Sequence, residues 1–145
     1  MAKRIILSAL AGAVVIFMLA GLFFGLLFAD FFSGQLPEQF AGIQKNPPNF
    51  GVIFISDLVY TSMLATVFAV FAKVHTFRRG MAMGALVGLG VVLHMDLITL
   101  ATTWLNTPAS MALNAVLSVI MSGLGGGVIA AVQGRLGATA PQASA

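Results

Sequence analysis

Charged residues are scarce in this chain, and cysteine is absent. Only 8% of its 145 residues are charged, whereas a soluble domain carries about 25%. Hydrophobic residues make up 59% of the chain, and the mean hydropathy is +1.03. These values exclude an ordinary soluble domain and predict an integral membrane protein. The lack of cysteine excludes disulfides, thiol catalysis and thiolate metal sites.

Enzyme motifs and nucleic-acid-binding patterns are missing as well. The chain has no HExxH sequence, no P-loop, no dinucleotide fingerprint and no nucleophile elbow. Its net charge is +3, but the cations are scattered over loops and chain ends, without the basic, aromatic-rich surface that nucleic acid needs. We therefore predict a protein that is not an enzyme and has no nucleic-acid partner.

Long apolar stretches dominate the sequence instead. Four of them are long enough to cross a bilayer as helices at about 1.5 Å per residue. The first is far longer than the apolar part of a signal peptide, which has about 7–15 residues, so we interpret it as a retained helix. The predicted helices cover about residues 5–32, 51–72, 80–104 and 109–133.

The predicted fold is therefore all-α, a polytopic membrane protein with a single four-helix domain over residues 1–133. Residues 33–50 contain Pro37, Pro47 and Pro48, which exclude a regular helix, and are predicted to form the external loop. This loop is either a plain connector or a lid over the bundle. Residues 134–145 are predicted to be a flexible tail.

The distribution of cations predicts the orientation in the membrane. With both termini in the cytoplasm of a bacterial inner membrane, six cations lie inside and only Lys45 lies outside. This bias agrees with the positive-inside rule. The inside cations are Lys3, Arg4, Lys73, Arg78, Arg79 and Arg135.

Small residues recur at a spacing of four in several of the predicted helices. In membranes such ridges of the GxxxG type let helix backbones approach closely. We expect three ridges to pack against helices of this chain or of a partner. They are Gly21 and Gly25; Gly80, Gly84 and Gly88; and Ser122, Gly126 and Ala130.

Polar residues at a similar depth form the main candidate site. Asp57 and Asp96 lie about 10 Å and 12 Å from the outer ends of their predicted helices, and Asn114 reaches a similar depth. A carboxylate inside a bilayer costs at least about 2.5 kcal/mol, so it needs a proton, a cation, water or hydrogen bonds. The layer is either a cation or proton site or a structural hydrogen-bonded layer. Its members are Asp57, Asp96, Asn114, Tyr60, Thr61 and Thr99.

His94 lies near the middle of the third predicted helix. It is two residues from Asp96, so the two side chains point to nearly opposite sides of the helix. A structural imidazole, a proton relay and a ligand of haem or chlorophyll are all open. His75 lies in a turn at the cytoplasmic end, which excludes a bis-histidine haem within one chain. We predict no resident cofactor or metal.

Several segments carry a resemblance to a known group. They are GLFFGLLFADFF, the loop ending NPPNF, the glycine-rich third helix, LATTWLN and VIMSGLGGGVIAA. With these segments the chain resembles a family of small bacterial four-helix integral membrane proteins, over most of residues 10–135. The resemblance implies the four-helix fold. It implies no activity, because none is established for that family.

Two functions fit these observations. One is a structural or accessory subunit, or a scaffold, that packs against other membrane proteins or against itself. Its support is the set of small-residue ridges and the lack of a catalytic set. The other is an oligomeric channel or transporter for a proton, a cation or a small solute, centred on Asp57 and Asp96.

Overall fold

The structure is a computed structural model that describes residues 1–40, 45 and 47–138. The described part of the chain is helical and contains no strand. Its long helices are α1 (Ala2–Ala20, continued by the π-helical segment Gly21–Leu27), α3 (Phe50–Thr66, continued by the π-helical segment Val67–Ala72), α4 (Phe77–Thr102) and α5 (Pro108–Ala138). The short helix α2 (Ala29–Gly34) and a 3₁₀ turn (Glu38–Phe40) follow α1.

Within the described residues, four helical segments are long and apolar enough to cross a membrane. They are Ala2–Leu27, Phe50–Ala72, Phe77–Thr102 and Pro108–Gly137. The prediction of an all-α chain with four apolar helices is therefore confirmed. Length and composition of these segments place the chain in the class of multi-pass membrane proteins.

Helix bounds differ from the predicted ones at three places. The first helix ends at Leu27, because Phe28 leaves helical geometry with a φ of −122° before α2 begins. The third begins at Phe77 after the extended Thr76, three residues before its predicted start at residue 80. The fourth continues to Ala138, so part of the predicted tail is helical. The predictions for residues 41–44, 46 and 139–145 lie outside the described residues.

The bundle is arranged around α5. α5 packs most extensively against α4 and next against α1, and α1 also packs along α3. α3 and α5 meet only lightly, while α3 and α4 make almost no backbone contact. The order around the bundle is therefore α4, α5, α1, α3, and a gap separates α3 from α4.

Glycine packing joins α4 to α5. Gly80, Gly84 and Gly88 are all buried, and a Cβ at any of them would collide with α5. The opposing residues on α5 are Ser118, Ser122, Gly126 and Ala130. The small residues of both helices thus face each other inside the chain, and the two backbones are in direct contact.

Gly21 and Gly25 lie in a different environment. Both belong to the π-helical end of α1, and no atom lies within 4 Å of a Cβ built on either of them. No helix of the described chain occupies this ridge. The expectation that it packs against a helix therefore concerns a neighbour and stays a prediction.

A buried glutamine connects three helices at the end of the bundle where the chain begins. Gln133 is 0% exposed, and its Nε2 donates to Ser8 Oγ at 3.1 Å and to the carbonyl oxygen of Ala65 at 2.8 Å. These hydrogen bonds connect α5 to α1 and α3. The C-terminal part of α5 therefore lies beside the N-terminal part of α1. We call this end of the bundle the terminal end and the opposite end the distal end.

Candidate cation site

A crevice occupies the gap between α3 and α4 in the distal half of the bundle. Its volume is about 350 Å³, and α5 forms its floor. We call it the α3–α4 crevice. It is lined by Ile16, Ser56, Asp57, Tyr60, Gly88, Val91, Val92, Met95, Asp96, Asn114, Ser118, Met121 and Ser122.

The α3 wall of the crevice carries polar atoms without partners. Asp57 is partly buried, and its Oδ2 is fully buried without a hydrogen-bond partner. One helical turn further on, the buried hydroxyl of Tyr60 approaches Ser122 but makes no hydrogen bond of standard geometry. Buried polar groups are rarely left in this state, because each costs about 1–3 kcal/mol. A polar or charged occupant of the crevice would satisfy both.

The α4 wall presents a carboxylate that is already satisfied. Asp96 is 8% exposed. Its Oδ2 accepts a hydrogen bond from Asn114 Nδ2 at 2.9 Å, and its Oδ1 accepts one from Asn106 Nδ2 at 3.3 Å. Two amide donors therefore hold this carboxylate in place without a cation. Asp57 and Asp96 thus line the same crevice, but both oxygens of Asp96 accept hydrogen bonds, whereas the buried Oδ2 of Asp57 accepts none.

A second cavity lies beyond Asp96 at the distal end. Its volume is about 200 Å³, and we call it the vestibule. Asp96 and Asn114 line both the vestibule and the α3–α4 crevice. Above them, Thr107 Oγ1 is 2.7 Å from Gln35 Oε1, which joins the start of α5 to the residue after α2. The Asp96–Asn114 pair therefore forms the wall between the vestibule and the crevice.

The crevice is lined by two acids and by no basic residue. None of its lining residues is lysine, arginine or histidine, and the same holds for the vestibule. Within the described residues, no group of three or more acids and histidines is arranged to hold a metal ion. A positive charge in the crevice must therefore come from a bound proton or cation.

Two of the six predicted layer residues do not line the crevice. Thr61 is fully buried and donates its hydroxyl to the carbonyl oxygen of Asp57 at 2.8 Å, within its own helix. Thr99 donates in the same way to the carbonyl oxygen of Met95 at 2.9 Å. Both hydroxyls are thus satisfied locally. The crevice brings together Asp57, Tyr60, Asp96 and Asn114.

His94 lies away from this site. It is exposed on the outer face of α4, about 200° around the helix from Asp96 at 100° per residue. Among the described residues it has no hydrogen-bond partner. His75 is exposed in the turn at the terminal end. The proposed roles of His94 as a ligand or proton relay have no support from the crevice.

Two polar residues of the structure were not among the predicted site residues. Asn106 lies in the turn after α4, and its contact with Asp96 depends on how that turn folds back. Gln133 stood at the predicted end of the fourth helix, yet it is fully buried. Only Gln133 could have been identified from the sequence, because a glutamine at the edge of an apolar span is rarely left without hydrogen-bond partners.

The fold and the site together define a class: a small multi-pass helical membrane protein with an acidic crevice between two of its helices. No family model, curated protein or solved structure matches the chain. Its resemblance to a bacterial four-helix family therefore stays a prediction, and its function must be argued from the crevice.

Proposed function

We propose that this chain is a multi-pass protein of a bacterial cytoplasmic membrane that binds a cation or a proton at Asp57 and moves it as part of a channel or transporter. The observation that carries this proposal is the buried, unpartnered Oδ2 of Asp57 at a crevice without any basic residue. A carboxylate in this position needs a proton or a cation. The role is one of binding and transport rather than of catalysis.

The distribution of charge supports an orientation with both termini in the cytoplasm. The terminal end carries every lysine and arginine except Lys45, whereas all four acids lie in the distal half. The positive-inside rule then places the terminal end inside. In this orientation the vestibule faces the external side, and the acidic crevice lies in the outer half of the membrane.

The alternative role is that of a structural subunit or scaffold. The small-residue ridges on α4 and α5 give little support to this role, because they pack against each other and are not free to contact a partner. One observation still favours it: no atom of the described residues lies within 4 Å of a Cβ built at Gly21 or Gly25. We therefore keep a partner helix, from another membrane protein or from a second copy, as the second candidate.

The transport proposal predicts that Asp57→Asn abolishes flux. The amide keeps the size of the side chain but removes its charge, so a cation loses its counter-charge. Proteoliposomes are prepared with a pH-sensitive dye inside, and radiolabelled Na⁺ or K⁺ is tested separately. We expect flux to fall at least about tenfold, because a loss of about 1.4 kcal/mol in binding corresponds to a factor of ten.

Asp30→Asn is the matched control for this experiment. Asp30 is exposed at the start of α2 and does not line the crevice. Its replacement should leave the flux of the wild-type protein unchanged. Equal flux above that of empty liposomes through the wild-type and Asp57→Asn proteins would contradict the transport proposal.

The scaffold proposal predicts that the Gly21 and Gly25 ridge mediates association. The double variant Gly21→Leu/Gly25→Leu fills the ridge with side chains whose Cβ atoms meet nothing inside the described chain. Native mass spectrometry from nanodiscs should therefore show a complex for the wild type and a monomer for the variant, while the helical content stays the same. A monomeric wild type would reject this role.

A further inference from the structure

We infer that the natural occupant of the α3–α4 crevice is a lipophilic organic monocation, a protonated or quaternary amine with an apolar body, which reaches Asp57 sideways from the bilayer. This inference rests on the proposed cation site and names its substrate class. Four properties of the crevice carry it: its size, its lining, the one carboxylate oxygen that lacks a hydrogen-bond donor, and its opening toward the membrane.

The crevice is too large for a bare ion. Its volume of about 350 Å³ is far larger than the roughly 10–15 Å³ that one water molecule needs in the same measure. It falls in the range of small-molecule pockets, which begins at about 300 Å³. A proton or a metal ion would leave most of this space unused, whereas an organic cation fills it.

The lining is divided between charge and apolar surface. Asp57 and the Tyr60 hydroxyl provide the polar groups that lack partners. The apolar part is made by Ile16, Val91, Val92, Met95 and Met121. An amine beside the carboxylate with its apolar body against these side chains matches both parts. The tyrosine ring and the methionine sulfurs add favourable contacts with a cation or an aromatic group.

The balance of charge favours a single positive charge and disfavours a zwitterion. The amides of Asn106 and Asn114 already donate to both oxygens of Asp96, so Asp57 is the acid of the crevice that has a buried oxygen without a donor. A lipid such as phosphatidylethanolamine would bring an amine, but also a phosphate. No lysine, arginine or histidine lines the crevice to receive that phosphate. A free organic monocation pairs with Asp57 and brings no anionic group that lacks a partner.

The opening of the crevice faces the membrane. Because α3 and α4 make almost no backbone contact, neither helix closes the gap between them. Val91 and Met95 on its α4 side are 43% and 59% exposed. Both lie within a helix that is long and apolar enough to span the bilayer. A lipophilic cation dissolved in the bilayer therefore reaches Asp57 without passing the Asp96–Asn114 wall.

Ethidium, a fluorescent aromatic monocation, is the probe for the first test. Its binding is titrated to the protein in nanodiscs of phosphatidylcholine, with tetraphenylphosphonium as an unlabelled competitor. The wild type should bind saturably, and Asp57→Asn should weaken the affinity at least about tenfold, since the charge pair is lost. Asp57→Glu, which keeps the charge, should retain binding, and Asp30→Asn should match the wild type.

The outcomes separate this inference from the proposed function. Flux of protons, Na⁺ or K⁺ that depends on Asp57, without saturable ethidium binding, would reject the organic cation and leave the transport proposal standing. Ethidium binding that is equal in wild type and Asp57→Asn would also reject it. Absence of both the flux and the binding in the wild type would reject both proposals.

Val91→Trp tests the sideways route. The larger side chain narrows the mouth of the crevice from the membrane side and leaves the vestibule open. We expect the association rate of ethidium to fall several-fold. Leu93→Trp is the control, because Leu93 lies on the same helix, is 37% exposed and does not line the crevice. An unchanged rate in Val91→Trp would overturn access from the bilayer.

Discussion

Gly84→Val is expected to lower the free energy of unfolding by at least about 3 kcal/mol, at the upper end of what overpacking costs. Gly84 is buried in the centre of the contact between α4 and α5. A Cβ at this position would lie 3.0 Å from the Cα of Gly126 and closer still to the carbonyl oxygen of Ser122. Both are backbone atoms, so no side chain can turn aside. The two helices must separate to make room.

Gly90→Val makes the same chemical change on the same helix. Gly90 is exposed, and a Cβ added to it would meet no atom within 4 Å. Valine is no worse a helix former than glycine, so we expect a change within about 0.5 kcal/mol. Both variants are unfolded by titrating SDS into detergent micelles while helicity is followed by circular dichroism. Equal losses of stability would show that the backbone contact of α4 and α5 contributes nothing.

Much of the fold could be predicted because length and hydropathy determine which segments can span a bilayer. The helix ends were harder to predict. Arg78 and Arg79 lie just before the predicted start of the third helix at residue 80. Arginine is nevertheless a good helix former, and α4 already begins at Phe77. α5 continues past Gln133 because that residue is held inside the bundle by Ser8 and Ala65. Such a contact between distant segments leaves no mark on local hydropathy.

The sequence predicted how deep the site residues lie in the membrane, but not toward which neighbour their side chains point. Counting along the helices placed Asp57, Asp96 and Asn114 at a similar level, and all three line the crevice. Counting residues does not give the rotation of each helix about its own axis. A helix in a membrane is apolar on both its lipid-facing and its packed sides, so hydrophobic periodicity does not tell which face is inside. Thr61 therefore could not be distinguished from Tyr60, although only Tyr60 lines the crevice.

The structure also changes which acid is the first to test. From the sequence alone, Asp96 is the more prominent residue, because it follows the glycine ridge of the same helix. In the structure Asn106 and Asn114 satisfy both of its oxygens, so it resembles a fixed structural anion. Asp57 has a buried oxygen without a donor. A group that needs a ligand is a better candidate for binding one.

Asn114→Leu is expected to lower the free energy of unfolding by about 2–3 kcal/mol, since a hydrogen bond to a charged group is worth about 1.5–3 kcal/mol. Leucine is similar in size but cannot donate to Asp96 Oδ2, which accepts from Asn114 at 2.9 Å. Adding Asp96→Leu should recover most of this loss, because it removes the unsatisfied carboxylate oxygen, while Asn106 Nδ2 keeps its contact with the backbone oxygen of residue 96 at 3.4 Å. The coupling free energy of the pair, from a double-mutant cycle in the same SDS titration, should be about 2 kcal/mol.

A parallel cycle with Asp57→Leu and Asn114→Leu separates the two acids. Asp57 and Asn114 share the crevice but no hydrogen bond, so their coupling should stay within about 0.5 kcal/mol. Asp57→Leu alone should leave stability unchanged or raise it, because it removes a buried polar atom that has no partner. Coupling of Asp57 to Asn114 as strong as that of Asp96 would contradict this difference. A residue whose replacement costs no stability but abolishes flux has a functional role and not a structural one. On our proposal that residue is Asp57.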